Sequence, residues 1–344
     1  MKCLSIIVLI TLMSVASISF AAQQHYDAHG DAMGVASSNH QGTAFINPAL
    51  IALDASKDSG GKLQSLHGER AYTNNVGLGV SFVLPTVKMP MALFYKTYID
   101  AVGVAAVSQI DLDNLNNLDV NGSSTISELD SQGAVVAGGV SDIGVALSFP
   151  LSIVNMPIAV GISPKMQRID TYNYVVNANN FNVDDADDVR YSYDDTVFNF
   201  DIGVAIQPTA GLTLGVSGRN LFNHKQQTID TLGRQFTYRI ESLYTAGLAY
   251  DWANLSLTTD IDLNDYQRFD EVASTQYWRF AGELKTADWL ALRVGYRHDL
   301  NNTTIDLYSV GTGFSIGRTF NLDLTGLFGS DDTIGGVIQT SYHF

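Results

Sequence analysis

The sequence predicts an all-β protein: an antiparallel transmembrane β-barrel of fourteen strands, with an N-terminal segment plugging the lumen. Three observations predict it. The chain opens with an export signal, no later segment is a continuous apolar run of helix-spanning length, and a period-two alternation of apolar and polar residues recurs to the C-terminus.

The export signal combines Lys2, the apolar run from Leu4 to Met13, and the small-x-small group Ser19-Phe20-Ala21. The run is well short of the roughly 20 apolar residues that a spanning helix needs. Residues 1–21 therefore read as a cleavable signal, against the alternatives of a retained anchor or a buried helix. Cys3 precedes the apolar run, which is the wrong place for a lipoprotein signal. It is also the only cysteine, so the mature chain has no thiol, disulfide or cysteine-ligated metal. A formal charge of −16 opposes attraction to nucleic-acid phosphates, and no direct nucleic-acid partner is expected.

With no spanning helix, the chain can cross a membrane only as closed β-structure, because a bilayer leaves exposed backbone groups unsatisfied. The alternation supplies the strands. Phe198, Phe200, Ile202, Val204 and Ile206 oppose Asn199, Asp201, Gly203 and Ala205. Trp278, Phe280 and Leu284 oppose Arg279, Ala281 and Glu283; Leu292, Val294 and Tyr296 oppose Arg293, Gly295 and Arg297; Phe320, Leu322, Leu324 and Phe328 oppose Asn321, Asp323 and Thr325. Successive strand side chains point to opposite faces, so one set faces lipid and the other the lumen. A soluble β-sandwich or β-helix is the competing reading.

Strands are expected from 76–84 to 333–344, with 91–98 and 101–109 as separate strands and 235–250 as a single one. An even number returns both termini to the same side, the periplasm of a Gram-negative outer membrane. Links at 207–211, 251–253 and 317–319 are short. Those around 110–135, 169–189, 222–234 and 262–274 are long and read as extracellular loops, with 85–90, 299–303 and 329–332 on the same side. Ile338, Tyr342 and Phe344 share parity, and the terminal Phe344 resembles the signal of proteins inserted by the barrel assembly machinery. The organisation is then 1–21 signal peptide, 22–75 periplasmic or plug segment, and 76–344 barrel.

Residues 30–54 are rich in small residues and contain Asn47-Pro48-Ala49, where Pro48 disfavours an uninterrupted strand. The composition alone suits a plug or a surface linker. Together with Gly34, the amphipathic strands and Phe344, this tripeptide resembles outer-membrane FadL-like barrels, and more closely the conjugal transfer TraF-like barrels. The resemblance covers nearly the mature chain. It implies a 14-stranded barrel in which the early region, including Asn47, Pro48 and Ala49, contributes to a hatch. The name TraF also labels a thioredoxin-like periplasmic protein, but a mature chain without cysteine cannot perform that exchange chemistry.

Two functional readings follow. The first is an outer-membrane transport or channel protein for small hydrophobic or amphipathic molecules. The second is a non-enzymatic envelope structural or interaction protein associated with conjugal transfer. Candidate lumen or ligand-contacting residues are Arg219, Arg279, Arg293 and Arg297, which suit an anionic head group, and Asp201, Asp260, Glu283 and Asp323, which balance the interior field. The same charges can instead pair across the lumen. No catalytic residue, metal site or cofactor is expected. The acidic run Asp184-Asp185-Ala186-Asp187-Asp188 lacks an EF-hand pattern and reads as a solvated loop. Expected partners are outer-membrane lipid and lipopolysaccharide, the assembly machinery, and a hydrophobic ligand or a conjugation component.

Overall fold

The computed structural model describes residues 60–69, 73–84, 89–106, 132–153, 156–177, 188–317, 320–330 and 333–343. The signal at 1–21, Asn47, Pro48, Ala49 and Phe344 lie outside them. The described residues contain the strands β1 (Gly60–Glu69), β2 (Thr73–Leu84), β3 (Met91–Ala106), β4 (Gln132–Ile153), β5 (Met156–Asn177), β6 (Ser192–Thr209), β7 (Leu212–Arg219), β8 (His224–Gln227), β9 (Thr237–Ile240), β10 (Leu243–Trp252), β11 (Leu255–Asp262), β12 (Tyr277–Ala287), β13 (Leu290–Asp299), β14 (Leu307–Ile316), β15 (Phe320–Gly329) and β16 (Ile334–His343). All except β8 and β9 join one closed barrel of antiparallel neighbours, in which β7 pairs directly with β10 and β1 closes against β16. β8 and β9 pair with each other in a two-stranded sheet outside the barrel ladder.

Several expected boundaries need correction. β1 lies inside the 22–75 segment assigned to the plug, and its register runs from Gly60↔His343 to Glu69↔Ile334. Its two leucines, Leu63 and Leu66, fall on opposite parities, so period two gives no signal there. The separate strands 91–98 and 101–109 are one strand, β3, in which Asp100 is an inward residue of a continuous ladder. The expected strand 235–250 is two elements, β9 and β10. Missing β1 and splitting β3 into two are errors of opposite sign in the count of barrel strands. Residues 85–90 were expected among the long loops. The strand ends that flank them lie at the opposite end, because Leu84 pairs with Met91 while Val83 pairs with Gly60, the residue that pairs with His343.

The outer and inner faces obey the alternation. Trp278, Phe280, Leu284, Leu292, Val294, Leu324 and Phe328 are exposed, whereas Arg279, Glu283, Arg293, Arg297 and Asp323 are buried. An apolar outer surface spread over the whole wall would be costly in water and is matched to hydrocarbon. No helix among the described residues is long and apolar enough to cross a membrane.

Aromatic side chains mark both rims. Exposed Trp252 and Trp289 stand at the short-turn end, and Trp278, Tyr296 and Tyr308 at the long-loop end. Their polar atoms find partners: Trp278 Nε1 donates to Thr259 Oγ1 at 2.9 Å, and the Tyr296 hydroxyl donates to Asp306 at 2.6 Å. His298 Nδ1 meets the other Asp306 oxygen at 2.7 Å. Desolvation works against the Asp306 charge, but the bonds from Tyr296 and His298 outweigh it and hold the carboxyl below its ordinary range. At the β6–β7 turn, Gly211 has φ +83°, and a Cβ there would lie 2.4 Å from the Asp251 carbonyl oxygen. Backbone conformation and close approach both require glycine.

Candidate functional site

The eight charged candidates all point into the barrel. Asp201, Arg219, Asp260, Arg279, Glu283, Arg293, Arg297 and Asp323 are each at most 9% exposed. Parity alone accounts for this, since each lies on the face opposite the lipid-facing set. The interior organises them into separate networks.

Nearest the short turns, Arg293 on β13 bridges two strands. Its Nε donates to Glu283 at 2.7 Å and its Nη1 to Asp323 at 2.8 Å. Gly313 on β14 leaves the room: a Cβ there would come within 2.6 Å of Asp323 Oδ1 and 2.7 Å of Arg293 Nη2. These residues border a cavity of about 560 Å³, also lined by Asn254, Lys285 and Asp288. Higher in the same wall, Arg279 makes a two-pronged pair with Asp262, at 3.0 and 3.1 Å. The Arg279 and Arg297 guanidiniums lie 5.3 and 4.6 Å from the centre of the Tyr277 ring. Asp260 stands opposite Arg279 in the β11–β12 register.

Across the barrel, Lys165 on β5 donates to Asp201 at 2.9 Å and to Asn220 Oδ1 at 2.7 Å, with Asp142 at 3.4 Å. Lys96 also lies 3.4 Å from Asp142. Gln167 donates to Asp142 and Asn220, and Asn199 Nδ2 donates to Gln167 at 2.7 Å. Asn220 leaves β7 with φ 51°, a left-handed conformation that asparagine tolerates, and its backbone N–H caps Asp201 at 2.7 Å. Arg219 is different: its buried Nε has no hydrogen-bond partner among the described residues.

At the long-loop end, parts of segments 222–234 and 262–274, expected as extracellular loops, fold into the barrel mouth. Phe236, Tyr238 and Ile240 from the hairpin, with Phe269 and Val272 from the second segment, form one buried cluster with residues of β3, β4 and β5. The Tyr238 hydroxyl donates to Asp100 at 3.1 Å, and Arg268 Nη1 donates to the other oxygen at 3.0 Å.

Sequence reasoning missed Lys96, Asp100, Asp142, Lys165, Asp262 and Arg268. Lys96 and Asp100 share the parity of Phe94 and Tyr98, so an inward face here is half apolar and conceals its charges. Lys165 shares parity with Gln167, a signal that an explicit polar-face count through β5 would have found. Arg268 lies in a turn-rich segment and is 168 residues from its partner, beyond any local pattern. No group of three or more His, Cys, Asp or Glu side chains suited to holding a metal occurs among the described residues.

Solved structures share this fold over nearly the whole chain. The TodX deltaS2S3 mutant monoaromatic hydrocarbon channel is 12% identical, with a TM-score of 0.59 over 93% of this chain and 99% of its own. The Ralstonia pickettii toluene transporter TbuX is 11% identical, with 0.58 over 94% and 99%. For the Pseudomonas putida toluene transporter TodX the values are 12%, 0.57, 95% and 100%. At these identities the likeness is one of fold, and it is the FadL-type barrel that the sequence resembles. Among curated protein sequences none matches. The model of the family described as F plasmid transfer operon, TraF, protein matches residues 54–262, which run from before β1 to the end of β11 and include both the Lys165 network and the inserted hairpin; the chain belongs to this family.

Proposed function

We propose that the protein is a non-enzymatic channel or transporter of the outer membrane that passes small hydrophobic or amphipathic molecules, with its termini and short turns on the periplasmic side. The observation that carries this reading is the interior of the barrel mouth. Its wall is apolar over β3–β5 and charged farther in, a succession suited to a molecule with an apolar body and a polar head. The likeness to hydrocarbon channels and transporters over nearly the whole chain supports the same reading. Arg219, whose Nε has no hydrogen-bond partner among the described residues, is an interior arginine placed to receive an anionic head group. Arg293 and Arg279 are instead held by carboxylates.

The test is uptake of dodecanoate and of a neutral aromatic hydrocarbon by liposomes containing the purified full chain. We expect saturable uptake of both, with Arg219→Ala impairing dodecanoate selectively. Uptake equal to that of empty liposomes for both solutes would overturn the reading.

The family match favours a second reading, an envelope component of conjugal transfer. Deleting the gene and measuring mating efficiency and solute uptake together separates the two. Lost mating with unchanged uptake supports assembly, and the reverse supports transport.

A further inference from the structure

The interior of a membrane-spanning barrel is ordinarily polar. At the long-loop end, β3, β4 and β5 depart from this, for Tyr98, Val102, Val136, Val140, Ile169 and Val175 point inward there as one apolar patch. A water-filled mouth would leave that patch wet at considerable cost. It is instead covered by aromatic and aliphatic side chains of two loops, the β8–β9 hairpin and segment 263–276.

Those loops hold together as a unit. Arg239 N donates to the Arg268 carbonyl at 2.7 Å, Tyr238 forms a bridge with Phe269, and their rings lie 5.0 Å apart. Arg239 also pairs with Asp270 and Glu241. The hairpin is not hydrogen-bonded into the barrel ladder, because β8 and β9 pair with one another. Its ties to the wall are few and specific. Asp100 on β3 receives Tyr238 and Arg268, one side chain from each loop. Asn173 on β5 donates to the Ile229 and Arg234 carbonyls and accepts through its own carbonyl from Thr231 Oγ1. Gly138 on β4 makes the seat: a Cβ there would lie 2.3 Å from the Tyr238 ring.

We propose that the hairpin and segment 263–276 are a lid, latched through Asp100 and Asn173, and that Tyr238 and Phe269 occupy the apolar wall surface that a ring-sized apolar cargo takes when the lid lifts. The lid rests on the geometry above, whereas the cargo rests on the channel reading. A patch of this kind is stable under the lid or under an apolar ligand and unfavourable in water, so lid and ligand compete for one surface.

The experiment is amide hydrogen exchange of the full chain in lipid nanodiscs, with flux of 1-N-phenylnaphthylamine into liposomes as a second readout. Asp100→Asn discharges the latch, and Gly138→Ala displaces the ring. We expect amides in 224–240 and 266–272 to exchange about tenfold faster in both variants while those of β12–β15 keep their protection, since loosening is local. Flux of the probe should rise in parallel. Unchanged exchange in both variants with the barrel intact overturns the lid. Faster exchange with flat flux supports the lid and removes the channel reading. Should either variant fail to fold, Tyr238→Ala withdraws the ring without adding a clash and is held to the same expectation.

Discussion

Arg293 holds Glu283 on the adjacent β12 and, across β14, Asp323 on β15, so its removal takes away the cation that these two buried carboxylates share. Breaking such a group from one side costs about 3–5 kcal/mol, because the remaining charge keeps its desolvation penalty. We expect Arg293→Ala to lower unfolding stability by that order, measured by urea titration of the barrel in lipid vesicles. Gly313→Ala acts on the same network without removing a charge. The added carbon meets the ends of Arg293 and Asp323 rather than backbone, so the network gives way at a cost of about 1–3 kcal/mol. At the outer rim, Asp306 has a depressed folded-state pKa, so its stabilising effect is present above the unfolded value of about 3.9 and lost as pH falls through the lower folded value. Asp306→Asn should therefore be less stable than wild type at pH 7, and the difference should shrink under acid, read from urea midpoints across that range.

At the level of the element, β5 shows what alternation can and cannot reveal. Its inward residues change from Ser163, Lys165 and Gln167 to Ile169, Thr171, Asn173 and Val175 within one strand. A fixed polar-in, apolar-out rule reads the first part correctly and loses the second. The reason lies elsewhere in the chain: the upper part of β5 meets the inserted hairpin, and the lower part meets Asp142 and Asp201. Among the described residues the inserted hairpin packs on β3–β5 rather than on β12–β15, and on β12–β15 the charged candidates could be read directly from parity. Lys165→Met tests the coupling across β4, β5 and β6. Asp201 keeps the Asn220 backbone bond but loses its cation, and Asp142 retains Lys96 at 3.4 Å. We expect a loss of about 3–5 kcal/mol in the same urea assay, largely suppressed when Asp201→Asn is combined with it, since the second change removes the stranded charge.

For the whole molecule, the barrel was legible because closure and a lipid-facing wall impose one repeated constraint on the spanning strands; β1 was missed because Leu63 and Leu66 fall on opposite parities, and the hairpin because its residues answer to the partners they meet inside the mouth. The same constraint makes the membrane assignment testable at a single position. Val294 lies near the middle of β13, on the outer face, and is 61% exposed. In a water-soluble barrel, arginine at so open a site would be tolerated within about 0.5 kcal/mol, as ordinary surface substitutions are. In a bilayer the guanidinium must enter hydrocarbon or distort the lipid to reach water, at about 2–4 kcal/mol near the midplane and roughly 0–1 kcal/mol near the interfaces. Val294→Arg should therefore destabilise the barrel in vesicles by the larger amount, while Trp252→Arg at the short-turn rim should show little of this depth-dependent charge cost beyond the loss of its ring. Equal and small effects at the two depths would mean that the apolar wall does not face lipid; a gradient between them places the middle of β13 in the hydrocarbon core and sets the depth scale for every other strand.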